Sequence, residues 1–106
     1  MSVKIITEDD FNELVLRSKL PVLVDFYADW CGPCQSLAPV IEEIAEETAG
    51  SVSVYKMNID QNRNFALEHS ILSIPTLIIF QNGKTVNTML GFNEKDKILK
   101  ALKSAE

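Results

Sequence analysis

"VLVDFYA", Val22–Ala28, constrains this chain more than any other stretch. It is nearly continuous in apolar residues, as expected of a strand buried on both faces within a parallel sheet. Such a strand needs cover, and the flanking sequence supplies it. "VKII" (Val3–Ile6) reads as a first strand. Thr7 and Asp10 stand at capping-box spacing, and Phe11, Leu14 and Val15 recur at helical period until Pro21 ends the unit. After the central strand, Leu37, Val40, Ile41, Ile44, Ala45 and Thr48 mark one face of a long helix. Gly50 is its natural stop, and Pro39 inside it predicts a kink. "SVSVYKMNI" (Ser51–Ile59) is the next strand, followed by a short helix around Arg63–His69. "TLIIF" (Thr76–Phe80) and "TVNTML" (Thr85–Leu90) form a hairpin across Asn82-Gly83. Asn93 and Asp96 open a last helix, with Ile98, Leu99 and Leu102 inward. The first half calls for parallel strands joined by crossover helices and the second for an antiparallel hairpin. A mixed α/β sheet with helices on both faces satisfies both.

The length of 106 residues fits a single domain over 1–106, and 46% apolar with 24% charged residues fits one buried core. The longest apolar runs are too short to span a membrane. "MSVKIITEDD" has neither the basic nor the apolar region of a secretory signal, and with Met1 at its head it reads as an unprocessed, intracellular, cytoplasmic chain. A net charge of −5 with no basic patch argues against nucleic acid. Lys95, Lys97, Lys100 and Lys103 read as a solvated helix face. His69 reads as a helix-surface residue.

Both cysteines lie in "DWCGPCQS". Structural zinc needs four ligands, and two Cys with one distant His do not provide them, so no metal is expected. Covalent haem needs His directly after the second Cys, where Gln35 stands. A structural bridge from Cys31 to Cys34 closes too small a loop to restrain the unfolded chain much. Redox exchange explains the local design. At the start of a helix, free N–H groups and the dipole favour a Cys31 thiolate. Gly32 leaves room for an approaching partner, and Pro33 suits a first helical turn. Cys34 falls on the same helix face, where it can close a disulfide. Cys31 is expected to be the more exposed of the two. Trp30 reads equally well as a flat apolar shelf beside the pair or as a core aromatic.

Asp25, between Val24 and Phe26, is the oddest residue in the central strand. By alternation it shares a face with Leu23 and Tyr27. It is either a strand-end carboxylate reached by solvent or a buried proton acceptor beneath the cysteines, and in the second case its pKa should be raised. Lys56 in the next strand reads by itself as a snorkelling surface residue, and Pro75 as a trans proline at a strand start.

"VDFYADWCGPCQSLAP" and "IPTLIIFQNGK" resemble the two signatures of the thioredoxin family, and the resemblance runs from Thr7 to the last helix. It implies the thioredoxin fold, a five-stranded mixed central sheet flanked by four helices, and protein disulfide reduction. It implies further that Asp25 helps to deprotonate Cys34 and that Lys56 neighbours Asp25. Pro75 would be cis, facing the cysteines, in a loop with Ile74 that binds extended substrate backbone, and Gly91 would belong to the same docking surface. Leu72, Ile74, Phe92 and Trp30 are expected to form one apolar rim. The implied electron donor is a flavin-dependent, NADPH-driven thioredoxin reductase, the substrates are proteins with disulfides, no bound cofactor is needed, and a monomer is expected. The chain departs from the family's usual residues at Tyr27 (often Trp), Gln35 (often basic), Leu72 and Ser73 (often charged, then Gly) and Phe92 (often small), which makes the rim more apolar and bulkier. Two other functions fit such a fold: a disulfide oxidase or isomerase, disfavoured by Gly32-Pro33 between the cysteines, and a non-catalytic subunit that clamps partners with the docking surface.

Overall fold

A computed structural model describes residues 3–105. The apolar run forms β2 (Val22–Tyr27), and all six residues are buried. On one side β2 pairs in parallel with β3 (Ser53–Asn58), and on the other it pairs antiparallel with β4 (Thr76–Gln81). Outside β3 lies β1 (Lys4–Ile5), parallel to it, and outside β4 lies β5 (Lys84–Leu90), antiparallel. The sheet order is therefore β1-β3-β2-β4-β5. The helices are α1 (Glu8–Phe11), which runs on as a π-helix over Asn12–Leu16, α2 (Gly32–Glu47), α3 (Arg63–Glu68) and α4 (Lys95–Ser104).

Alternation along β2 divides the core. Val22, Val24 and Phe26 pack with Ile6, Phe11, Val15, Phe65 and Phe80 beneath α1 and α3. Leu23 faces the other way, with Leu37, Ile41 and Ile44 of α2 and Ile98 and Leu102 of α4. Each such side chain removed from water contributes about 1.5–3 kcal/mol, so the sandwich rests on both layers. Asp25 follows Leu23 by two residues and points to the α2 layer.

Element ends differ from the sequence reading for local reasons. The first strand is two residues long, although Ile6 N–H still reaches Lys56 O at 2.8 Å. Asp10 caps α1, accepting from Thr7 N–H at 3.1 Å. Beyond Phe11 the helix widens, with Arg17 N–H donating to Asn12 O at 3.0 Å across five residues. β3 starts later than expected because Ser51 and Val52 N–H both donate to Thr48 O, closing the end of α2. Ile59 leaves the strand for a 3₁₀ turn, Ile59–Gln61. α4 is capped at Glu94, not begun at Asn93. The Asn93 amide instead donates to Leu90 O and Gly91 O, and so holds the loop that precedes the helix. Lys95 is not merely solvated: its ammonium lies 2.7 Å from Glu47 and 3.7 Å from Glu43, tying α4 to α2. His69 is exposed, as expected, and stacks on Phe65 with ring centroids 3.8 Å apart.

Candidate active site

Past the end of β2 the chain bends through Asp29 and Trp30 and enters α2 with Cys31 as its N-cap. Cys31 and Cys34 are joined as a disulfide. Cys34 N–H donates to Cys31 Sγ at 3.2 Å, and Gln35 N–H to Cys31 O at 3.1 Å. A charge on Cys31 Sγ would therefore meet a backbone donor and the positive end of the helix. Exposure does not distinguish the two sulfurs as expected, since the residues are 5% and 4% exposed in this oxidised form. Position does, because only Cys31 sits at the cap. Gly32 and Pro33 lie exposed on the open side, and a Cβ on Gly32 would meet nothing within 4 Å.

Strand direction brings the remote segments to this pair. β4 runs antiparallel to β2, so Thr76 at its start stands opposite Phe26 near the end of β2. The residues just before β4 must then lie beside the cysteines. The Ile74–Pro75 peptide is cis, and Ile74 O is 3.9 Å from Cys31 Sγ. Ile74 packs on the cluster of Tyr27, Ala28, Cys31 and Cys34. β5 ends with Leu90 opposite Thr76, and Gly91 N–H donates to Pro75 O at 2.8 Å. Gly91 has φ +73°, a conformation that glycine adopts without strain.

Trp30, Leu72 and Phe92 are exposed by 70, 88 and 49%, respectively, and Ile74 is half-buried. The core reading of Trp30 is thus overturned. Its indole Nε1–H donates to Asp60 Oδ2 at 2.8 Å, which ties the ring to the 3₁₀ turn after β3.

Asp25 is fully buried, and neither carboxyl oxygen has a hydrogen-bond partner among the described residues. The solvated strand-end reading does not hold. Burial pushes its pKa up from 3.8 to about 6, against the opposing charge of Lys56. Lys56 stands opposite Asp25 in the β2–β3 register and is half-buried. Its ammonium lies over the Tyr27 ring, 4.4 Å from the centroid. The Tyr27 phenol titrates above its ordinary value, through burial first and then the charges of Asp29 and Asp25, with a hydrogen bond from Asn58 opposing. A cleft of about 130 Å³ flanks Cys34, lined by Tyr27, Asp29, Gln35 and Lys56 among others. A larger hollow of about 400 Å³ lies between β5 and α4 and includes no cysteine.

Two supports went unseen in the sequence. Asp60 anchors Trp30, and the Gln35 amide donates to Asp29 O at 2.9 Å across the active-site bend. The first had a signal: parallel strands end on the same side, so the residues just past β2 and just past β3 are neighbours. Gln35 was legible only as a missing positive charge.

A cysteine pair held at a helix start, able to open and close a bond at an exposed end of the sheet, defines a thiol–disulfide oxidoreductase. The family model described as Thioredoxin matches residues 2–104. A thioredoxin of Rickettsia felis is 50% identical over 94 residues, which cover 89% of this chain and 90% of that protein. A thioredoxin of Pyropia yezoensis is 47% identical over 102 residues, 96% of this chain and 95% of that protein. The chain belongs to the thioredoxin family, and its Cys31–Cys34 couple makes it a protein-disulfide oxidoreductase. Among the described residues, no helix is long and apolar enough to cross a membrane.

Proposed function

We propose that this chain, acting as one thioredoxin domain, reduces disulfides in a range of proteins with Cys31 as nucleophile and Cys34 as resolving thiol. The observation that carries the assignment is the N-cap position of Cys31, with Cys34 N–H aimed at its sulfur. The Cys31 thiolate attacks one sulfur of a substrate disulfide. A Cys31–substrate disulfide forms, and the other substrate sulfur leaves as a thiolate that takes up a proton. Asp25 accepts the proton of Cys34. The Cys34 thiolate then attacks Cys31 Sγ, closing Cys31–Cys34 and releasing the second substrate sulfur as a thiolate. Two electrons have passed from the dithiol to the substrate.

Lys56 tempers the cost of charging Asp25. Ile74 and Pro75 receive extended substrate backbone, while Trp30, Leu72, Gly91 and Phe92 form the surface on which the partner docks. A flavin-dependent thioredoxin reductase returns the electrons from NADPH, so the chain needs no cofactor of its own. A monomer in the reducing cytoplasm suits such a carrier. The Cys34→Ser protein is expected to accumulate substrates covalently bound at Cys31, as mapped by mass spectrometry of isolated adducts. If adducts form instead on Cys34 in the Cys31→Ser protein, with none at Cys31 in its counterpart, the two roles are reversed.

A further inference from the structure

Lys56 has two possible partners, and it is found on the less obvious one. It stands opposite Asp25 in register, yet no ion pair joins them, and both Asp25 oxygens lack hydrogen-bond partners among the described residues. The ammonium lies instead 4.4 Å from the centroid of the Tyr27 ring. Tyr27 is two residues beyond Asp25 on β2, so alternation sends both side chains to the same face. Tyr27 and Lys56 together line the cleft beside Cys34. An aromatic face attracts an ammonium most strongly where water is partly excluded, as it is for this half-buried lysine.

We propose that Tyr27 is a positioning residue that competes with Asp25 for the Lys56 ammonium, holding the cation on its ring and leaving the carboxyl without an ionic partner. This rests on the reading of Asp25 as proton acceptor for Cys34 and supplies its regulation. A carboxylate paired directly with a lysine would be a weak base. One whose neighbouring cation is held on a ring keeps more of the rise that burial causes, and can both take and return a proton. Lys56 of β3 and Leu77 of β4 stand opposite Asp25 in register, and Tyr27 follows it on the same face of β2, while Asp29 is the other charge lining the cleft beside Cys34.

The test follows the Asp25 carboxyl by carbon NMR in the oxidised full chain, where neither cysteine titrates. The parent midpoint is expected at about 6. Tyr27→Leu, or Tyr27→Met if the first does not fold, frees Lys56 to pair with Asp25. The midpoint should fall by about one unit or more, the usual effect of an adjacent opposite charge. Tyr27→Phe keeps the ring and should stay near the parent. With Lys56→Met in place, the Tyr27 substitutions should no longer move the midpoint. In the parent itself, the Lys56 Cε protons should be shifted upfield by the ring, which needs no variant at all.

An unchanged or raised midpoint without the ring overturns the proposal. So does a fall that persists in the Lys56→Met background, which would show that water and not lysine had reached Asp25. Unshifted Lys56 protons in the parent overturn it too. The acceptor role itself is read from the activity of Asp25→Asn, so either idea can fail alone.

Discussion

At the scale of single residues, Asp25 links chemistry to stability. Its folded pKa, about 6, lies above the ordinary 3.8 because burial penalises the charge. A group raised in this way contributes its full stability below the unfolded value and loses it as pH climbs through the folded one. The difference of about two units corresponds to roughly 3 kcal/mol, lost between about pH 4 and pH 6–7. Asp25→Asn carries no charge at any pH. Urea melts of the oxidised proteins should therefore find the mutant more stable by about 3 kcal/mol at pH 8, with the gap nearly closed at pH 4. A gap that does not change with pH would mean that the carboxylate is ionised throughout. The same mutant should reduce disulfides about 10²-fold more slowly or worse, since general acid–base help of this kind contributes 10²–10⁴. The oddity of Asp25 was visible in one dimension, as an acid within an apolar run. Its burial was one of two readings the sequence left open, and α2 lying over that face of β2 decides for it.

Among the elements, the hairpin shows local chemistry enforcing a long-range contact. Asn82 and Gly83 have φ of 53° and 79°, the two left-handed positions of a tight turn that matches strand twist. Gln81 pairs with Lys84 across it. A Cβ on Gly83 would also stand 3.0 Å from Leu16 O, a backbone atom at the end of the first helix. Gly83→Ala should cost about 1–2 kcal/mol from the left-handed backbone alone, with the close approach adding to it. A urea midpoint equal to the parent's would show that the turn refolds into another type. Asn62 makes a similar link without any turn signal. It accepts from Glu8 N–H at 2.9 Å and donates to Asn58 O at 2.8 Å, joining the start of α1 to the end of β3. A buried asparagine in "DQNRN" looks in sequence like any polar loop residue, because its partners lie on another element.

Across the whole molecule, strand polarity gathers the proposed docking rim from three parts of the chain. The end of β2, the start of β4 and the end of β5 meet on one side of the sheet. Phe92 belongs to the last of these and is half exposed, at 49%. Phe92→Ala should raise KM for protein substrates about fivefold, equivalent to about 1 kcal/mol of contact, and leave the reduction potential where it was. Insulin-type reduction assays, paired with redox titration of the Cys31–Cys34 couple, separate the two. An unchanged KM across several substrates and the reductase would remove Phe92 from the docking surface.

Period and punctuation alone determined the order of the strands and α-helices here, though not the π-helical turn after Phe11 or the 3₁₀ turn at Ile59. Apolar runs of strand length, helical spacing in "LAPVIEEIA" and the Asn-Gly turn act within a few residues of themselves, so one dimension is enough to read them. The cysteine pair was legible for the same reason, since its chemistry needs only a helix start and a three-residue step. Its surroundings were not. That Trp30 is tethered outward by Asp60, that Cys31 is as buried as Cys34, and that Lys56 rests on Tyr27 and not on Asp25 all depend on strand order and register. Those are settled by which faces can be buried together, a competition among all the elements at once that no local segment records.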